Sequence, residues 1–123
     1  MRLFLLLAGI LACAFGAALL FIPATFMQPT GIDMTPLVAT LPQAHGATLI
    51  GLGIFNIFAR KADVVGLKAA FTGNLVVQIL SLFVVIRTMT LGPGMAVAPG
   101  IVIHVVLGSF CAYFLWKLSA QKA

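Results

Sequence analysis

Acidic side chains are what this chain has least of. Asp33 and Asp63 are the only two carboxylate residues among 123, and neither interrupts an apolar run. An acid embedded in a membrane helix is the usual carrier in proton-coupled exchange, and the chain lacks one. It also lacks a phosphate-binding loop, a zinc-ligand spacing and an acid–base pair suited to hydrolysis. No catalytic residue can be named, so a non-enzymatic role is expected. Cysteine is scarce too: Cys13 and Cys111 each lie within an apolar run. There a thiol behaves as a small hydrophobe, and no disulfide is expected. Only 7% of the residues are charged, against 63% hydrophobic. Soluble domains carry about a quarter charged residues, so this chain could not cover a water-soluble fold.

The chain has long hydrophobic runs instead. A spanning helix needs about 20 predominantly apolar residues. Four candidates are present, at about 3–22, 36 or 41–59, 64–89 and 99–118. They are longer and more continuously apolar than the alternating segments of a membrane barrel. The fold class expected is therefore all-α: one integral membrane four-helix bundle over residues 1–123. A rival reading takes Met1-Arg2 and Leu3 to Ile10 as a signal core, with Ala12-Cys13 as a lipoprotein-like cleavage site. The apolar run continues to Phe21 behind a single charge, so a retained helix is preferred.

The net charge of +5 does not indicate nucleic acid, because the basic residues stand at the ends of apolar runs and form no groove-sized patch. They act as topology signals. Arg2, Arg60, Lys61, Lys68, Lys117 and Lys122 fall on one side of a four-pass topology, and Arg87 alone on the other. Both termini are then cytoplasmic. Tyr113 and Trp116 fit an inner aromatic belt. The short turn from Arg60 to Gly66 predicts that the second and third long helices pack as a hairpin.

The first outer loop is punctuated by Pro23, Pro29, Pro36 and Pro42. Pro23 suits the start of a short interfacial helix and Gly31 its end. Thr35-Pro36 reads as an N-cap and first helical position, with a kink expected at Pro42. Small residues recur at four-residue spacing on helix one, in the rows Ala8, Ala12, Gly16 and Gly9, Cys13, Ala17. Helix two carries Gly46, Gly51 and Gly53, and helix four Gly100, Gly108 and Ala112 around His104. Such rows let helix backbones approach closely.

Buried polar groups in lipid must find partners. The candidates are His45, Asn56, Asn74, Gln78 and His104. One account is an interhelical hydrogen-bond network. The other is a ligand site using His45, Asn74, Gln78 and His104. Axial ligation of a haem by His45 and His104 belongs to that account, as does a quinone or lipid held by His104 and Gln78. Asn74, Gln78 and Ser81 on one stripe would also line a small transporter or channel subunit. Met27, Met34, Met89 and Met95 lie in or beside the outer loops, but no two show close ligand spacing. No metal is expected. Asp33 and Arg87 are the lone outer acid and base, expected to pair with each other or with a lipid phosphate.

Several segments together resemble small bacterial four-helix membrane proteins of the DoxX-like and DUF4345-like groups. They are Phe21-Ile22-Pro23, Gly31-Ile32-Asp33 with Thr35-Pro36, Gly46-Ala47 through Gly51-Leu52-Gly53, and Asn56 with Ala59-Arg60. The diagnostic residues of fluoride channels and small multidrug exporters are not matched. The resemblance implies a four-helix bundle of the inner membrane and carries no catalytic residues. The function expected is an accessory or structural subunit packing against other membrane helices or lipid, as a homo-oligomer or part of a membrane complex.

Overall fold

The computed structural model describes residues 1–91 and 94–120. Lys122, counted above in the charge pattern, lies outside the described residues. Among the described residues every regular element is helical and no strand occurs. The order is α1 (Arg2–Phe21), α2 (Pro23–Met27), α3 (Pro36–Ala59), α4 (Val64–Leu91) and α5 (Ala98–Ala120), with 3₁₀ turns at Gln28–Thr30 and Gly94–Val97. Four of the helices, α1, α3, α4 and α5 with the turn before it, are long and apolar enough to cross a membrane. The 20 residues of α1 rise about 30 Å, the thickness of a bilayer core.

Local chemistry sets the ends of these helices. Pro23 starts α2 with its fixed φ and no N–H to satisfy. Phe26 of α2 packs edge-on against Phe15 of α1, ring centroids 5.6 Å apart. The 3₁₀ turn that follows stops at Gly31, whose φ of 69° lies in the left-handed region that glycine adopts without strain. Thr35 Oγ1 accepts from the Val38 N–H at 3.3 Å, and Pro36 is the first residue of α3. Pro42 lies inside α3, which continues through it as one element. Asp63 Oδ1 accepts from the Gly66 N–H at 2.8 Å and caps the start of α4.

The chain forms two compact units, Met1–Lys61 and one beginning at Ala62. In the first, α1 packs against α3. Gly9 lies against Gly53 and Gly16 against Gly46, so the helices run antiparallel. The approach is close enough to exclude side chains: a Cβ at Gly46 would stand 2.6 Å from the Gly16 carbonyl oxygen and 2.8 Å from the Leu20 nitrogen. A Cβ at Gly53 would stand 2.5 Å from Cys13 Sγ and 2.6 Å from the Gly9 oxygen. Both glycine pairs are seven residues apart along their helices. The seam therefore follows a 3.5-residue repeat, which keeps one face of each helix on its partner. It selects Gly9, Cys13 and Gly16 rather than either complete four-residue row. Gly51 takes no part in it, and a Cβ there would meet nothing within 4 Å. The thiol of Cys13 donates to the Ile50 carbonyl at 3.8 Å, and Gln43 Nε2 donates to the Leu20 carbonyl at 3.3 Å.

In the second unit α4 packs against α5. Phe71 and Phe114 meet with ring centroids 5.3 Å apart, Gln78 meets His104, and Val85 lies beside Gly100. Those pairs also define an antiparallel register. On α4 the seam runs through the buried Leu67, Phe71, Asn74 and Gln78, again at spacings of four and three. On α5 it runs through His104, Gly108, Cys111 and Leu118; Cys111 and Leu118 are buried. Ala112, which continues the four-residue row from Gly108, is exposed.

Candidate functional site

The candidate site is the polar stretch of the α4–α5 seam. A 3.5-residue repeat places Asn74 and Gln78 in the seam with Leu67 and Phe71, so two amides are buried where aliphatic residues would otherwise pack. The Asn74 amide donates to the Ala70 carbonyl of its own helix at 2.8 Å. Gln78 reaches across. Its Oε1 lies 2.7 Å from Nδ1 of His104, which is half-buried on α5. A carbonyl oxygen only accepts, so the imidazole Nδ1 carries the hydrogen and donates. In the neutral ring that assigns the lone pair to Nε2. Gly108, one turn beyond His104, makes room for this pair: a Cβ there would stand 3.4 Å from Gln78 Cβ. That separation is ordinary van der Waals contact, looser than the glycine approaches of the first unit.

Gly100 is likewise loosely packed, 3.4 Å from Val85 Cγ2. Ser81 is half-buried on α4. His45 belongs to the first unit and is exposed on α3. Asn56, eleven residues on and on the same helical face, is buried at 1% exposure. Asp33 is exposed in the segment before α3, and Arg87 is exposed near the end of α4. Met27, Met34 and Met89 are half-buried, and Met95 is exposed. Both cysteines are free thiols. Among the described residues no group of three His, Cys, Asp or Glu is placed to hold a metal ion.

One contributor was not anticipated from sequence. Gln43 ties α3 to the last turn of α1, and no pattern marked it. Cys13 fills the gap between the two glycine contacts; the seven-residue spacing of Gly9 with Gly16 and of Gly46 with Gly53 is the signal that would have found that seam. Chemically, the Gln78–His104 pair can pin two helices in an apolar medium, or orient an imidazole whose second nitrogen accepts a proton or a ligand. Comparison with protein-family models, with curated proteins and with solved structures finds no match for this chain.

Proposed function

We propose that this chain is a non-enzymatic integral membrane protein of the bacterial inner membrane, with both termini cytoplasmic. It acts as an accessory or structural subunit that packs against other membrane helices and lipid, in the manner of the small four-helix proteins it resembles. One observation carries the reading. In the most apolar stretch of each of the four long helices at most 22% is buried, so most of the apolar surface needs cover from outside the chain. Two glycines sharpen it. Gly51 of α3 and Gly73 of α4 are exposed in helix interiors, and a Cβ at either would meet nothing within 4 Å. Glycine costs a helix interior about 1 kcal/mol relative to alanine, and close approach of another helix is what offsets that cost in lipid. Ala69, four residues before Gly73, is exposed on the same face and completes a small-residue pair. Cross-linking in native membranes is expected to recover a dimer or a hetero-complex, and Gly73→Leu to reduce its yield severalfold. Recovery of monomer alone from the unaltered protein would refute the reading.

A second reading is supported by the 2.7 Å contact between His104 and Gln78. A ligating histidine ordinarily donates its other ring N–H to an oxygen, which fixes the ring and its tautomer. His104 has that arrangement with Gln78, and a haem or a quinone is the ligand class concerned. The purified protein is then expected to show a Soret band, or a bound quinone on extraction, that is lost in His104→Ala. A colourless, quinone-free preparation from native membranes would remove this reading.

A further inference from the structure

We propose, resting on the membrane reading above, that Arg60 holds the phosphate of an anionic phospholipid at the end of the α1–α3 unit, within a positive field completed by Arg2 and Lys61. Arg60 is the C-cap of α3, half-buried and seven residues beyond Gly53. Seven residues return a helix to within about 20° of the same face, so Arg60 continues the face of Gly46 and Gly53 that meets α1. Its Nε donates to the Ile57 carbonyl at 3.1 Å. The Ile57 backbone is itself in the seam, its nitrogen 3.2 Å from where a Cβ of Gly9 would stand. The guanidinium is therefore tied down at the mouth of the seam. Among the described residues that bond is the only hydrogen bond or ion pair its side chain makes. Both Nη groups remain, a fork that matches two phosphate oxygens. Arg2 lies seven residues before Gly9, on the α1 face that meets α3 and at the same end, and Lys61 follows Arg60.

A guanidinium partly withdrawn from water needs an anion. Neither carboxylate of the chain supplies one. Asp33 lies before α3, at the other end of this unit, and Asp63 is engaged with the Gly66 N–H as the cap of α4. The surroundings favour a lipid over a free ion. The 20 residues of α1 match the thickness of a bilayer core, which sets Arg2 and its neighbours at headgroup level. Leu3 and Phe58 are largely exposed, so apolar surface runs up to within two residues of the arginines. An occupant has a phosphate for Arg60 and hydrocarbon for that surface.

The source membranes are washed with alkaline carbonate. The protein is then extracted in dodecyl maltoside and titrated with phosphatidylglycerol or phosphatidylcholine, and bound lipid is counted by native mass spectrometry. The first phosphatidylglycerol is expected to bind at a severalfold lower concentration than the first phosphatidylcholine. Arg60→Gln, Arg2→Gln and Lys61→Gln are each expected to raise the phosphatidylglycerol concentration required about fivefold, whereas Arg87→Gln, in the other unit, leaves it unchanged. Arg2 and Lys61 are exposed, so their variants carry the test if Arg60→Gln fails to fold. Millimolar inorganic phosphate is expected to leave the bound lipid in place. Undiminished preference in the three variants, or equal binding of the two lipids by protein that stayed in the washed membranes, would overturn the site and leave the membrane reading standing. Displacement by inorganic phosphate would overturn the lipid as its ligand. Release of the protein by the carbonate wash would remove the membrane reading and the site with it.

Discussion

Gly46→Ala is expected to cost the first unit about 2 kcal/mol, whereas Gly51→Ala, five residues away on the same helix, is expected to be neutral or stabilising by up to about 1 kcal/mol. Two effects compete at each position. Alanine is the better helix former by about 1 kcal/mol. At Gly51 nothing within the chain opposes this gain, because the new methyl would meet none of its atoms within 4 Å. At Gly46 the methyl would stand 2.6 Å from the Gly16 oxygen and 2.8 Å from the Leu20 nitrogen. Both are backbone atoms, so no rotamer change relieves the clash and α1 must move away from α3. Overpacking of this kind typically costs about 1–3 kcal/mol. The moved helix also loses the dispersion contacts along its seam. Gly53→Ala is expected to be as damaging, since its methyl would meet Cys13 Sγ and the Gly9 oxygen. Unfolding in mild detergent by sodium dodecyl sulfate, followed by circular dichroism, gives the comparison. Equal midpoints for Gly46→Ala and Gly51→Ala would show that the helices do not approach as described.

Gln78→Leu is expected to destabilise the second unit by about 1–2 kcal/mol, although leucine is the more apolar residue. Gln78 is 8% exposed, and its Oε1 accepts from His104 across the seam. Removing the acceptor strands an imidazole N–H in apolar surroundings, and an unsatisfied buried donor costs about 1–3 kcal/mol. His104→Phe removes the donor, so the double variant Gln78→Leu with His104→Phe is expected to recover much of the loss. The coupling should fall near the 0.6–1.7 kcal/mol measured for hydrogen bonds between membrane helices. A double-mutant cycle in the same unfolding assay reads it directly. Strict additivity of the two substitutions would mean that the pair contributes nothing to holding α4 on α5.

The helices were legible in the sequence because their signal is cumulative: some 20 apolar residues in a row, bounded by Arg2, Arg60, Lys68 and Lys117, outweigh any single misreading. Thr35-Pro36 and Gly31 were legible because capping and left-handed turns depend on one or two residues and their immediate neighbours. The polar stripe of Asn74, Gln78 and Ser81 was visible as a face of α4. Its partner was not, because helical periodicity says which residues share a face and is silent on what that face meets. The glycines show the same limit. A row at four-residue spacing and a row at seven-residue spacing overlap in Gly9, Cys13 and Gly16, and only the second helix decides between them.

Composition and pattern by themselves determined that this chain is helical, that four of its helices are long and apolar enough to cross a membrane, and where those helices start and stop. These properties are sums over neighbouring residues, and each residue contributes its share whatever the rest of the chain does. The tertiary structure alone decided that Gly46 and Gly53 are contact points while Gly51 is open, and that Gln78 is bonded to His104 while His45 is exposed. Each of these depends on the relative position of two helices. That position is set by a few close contacts between residues far apart in the chain, and a one-residue shift in register would exchange every one of them.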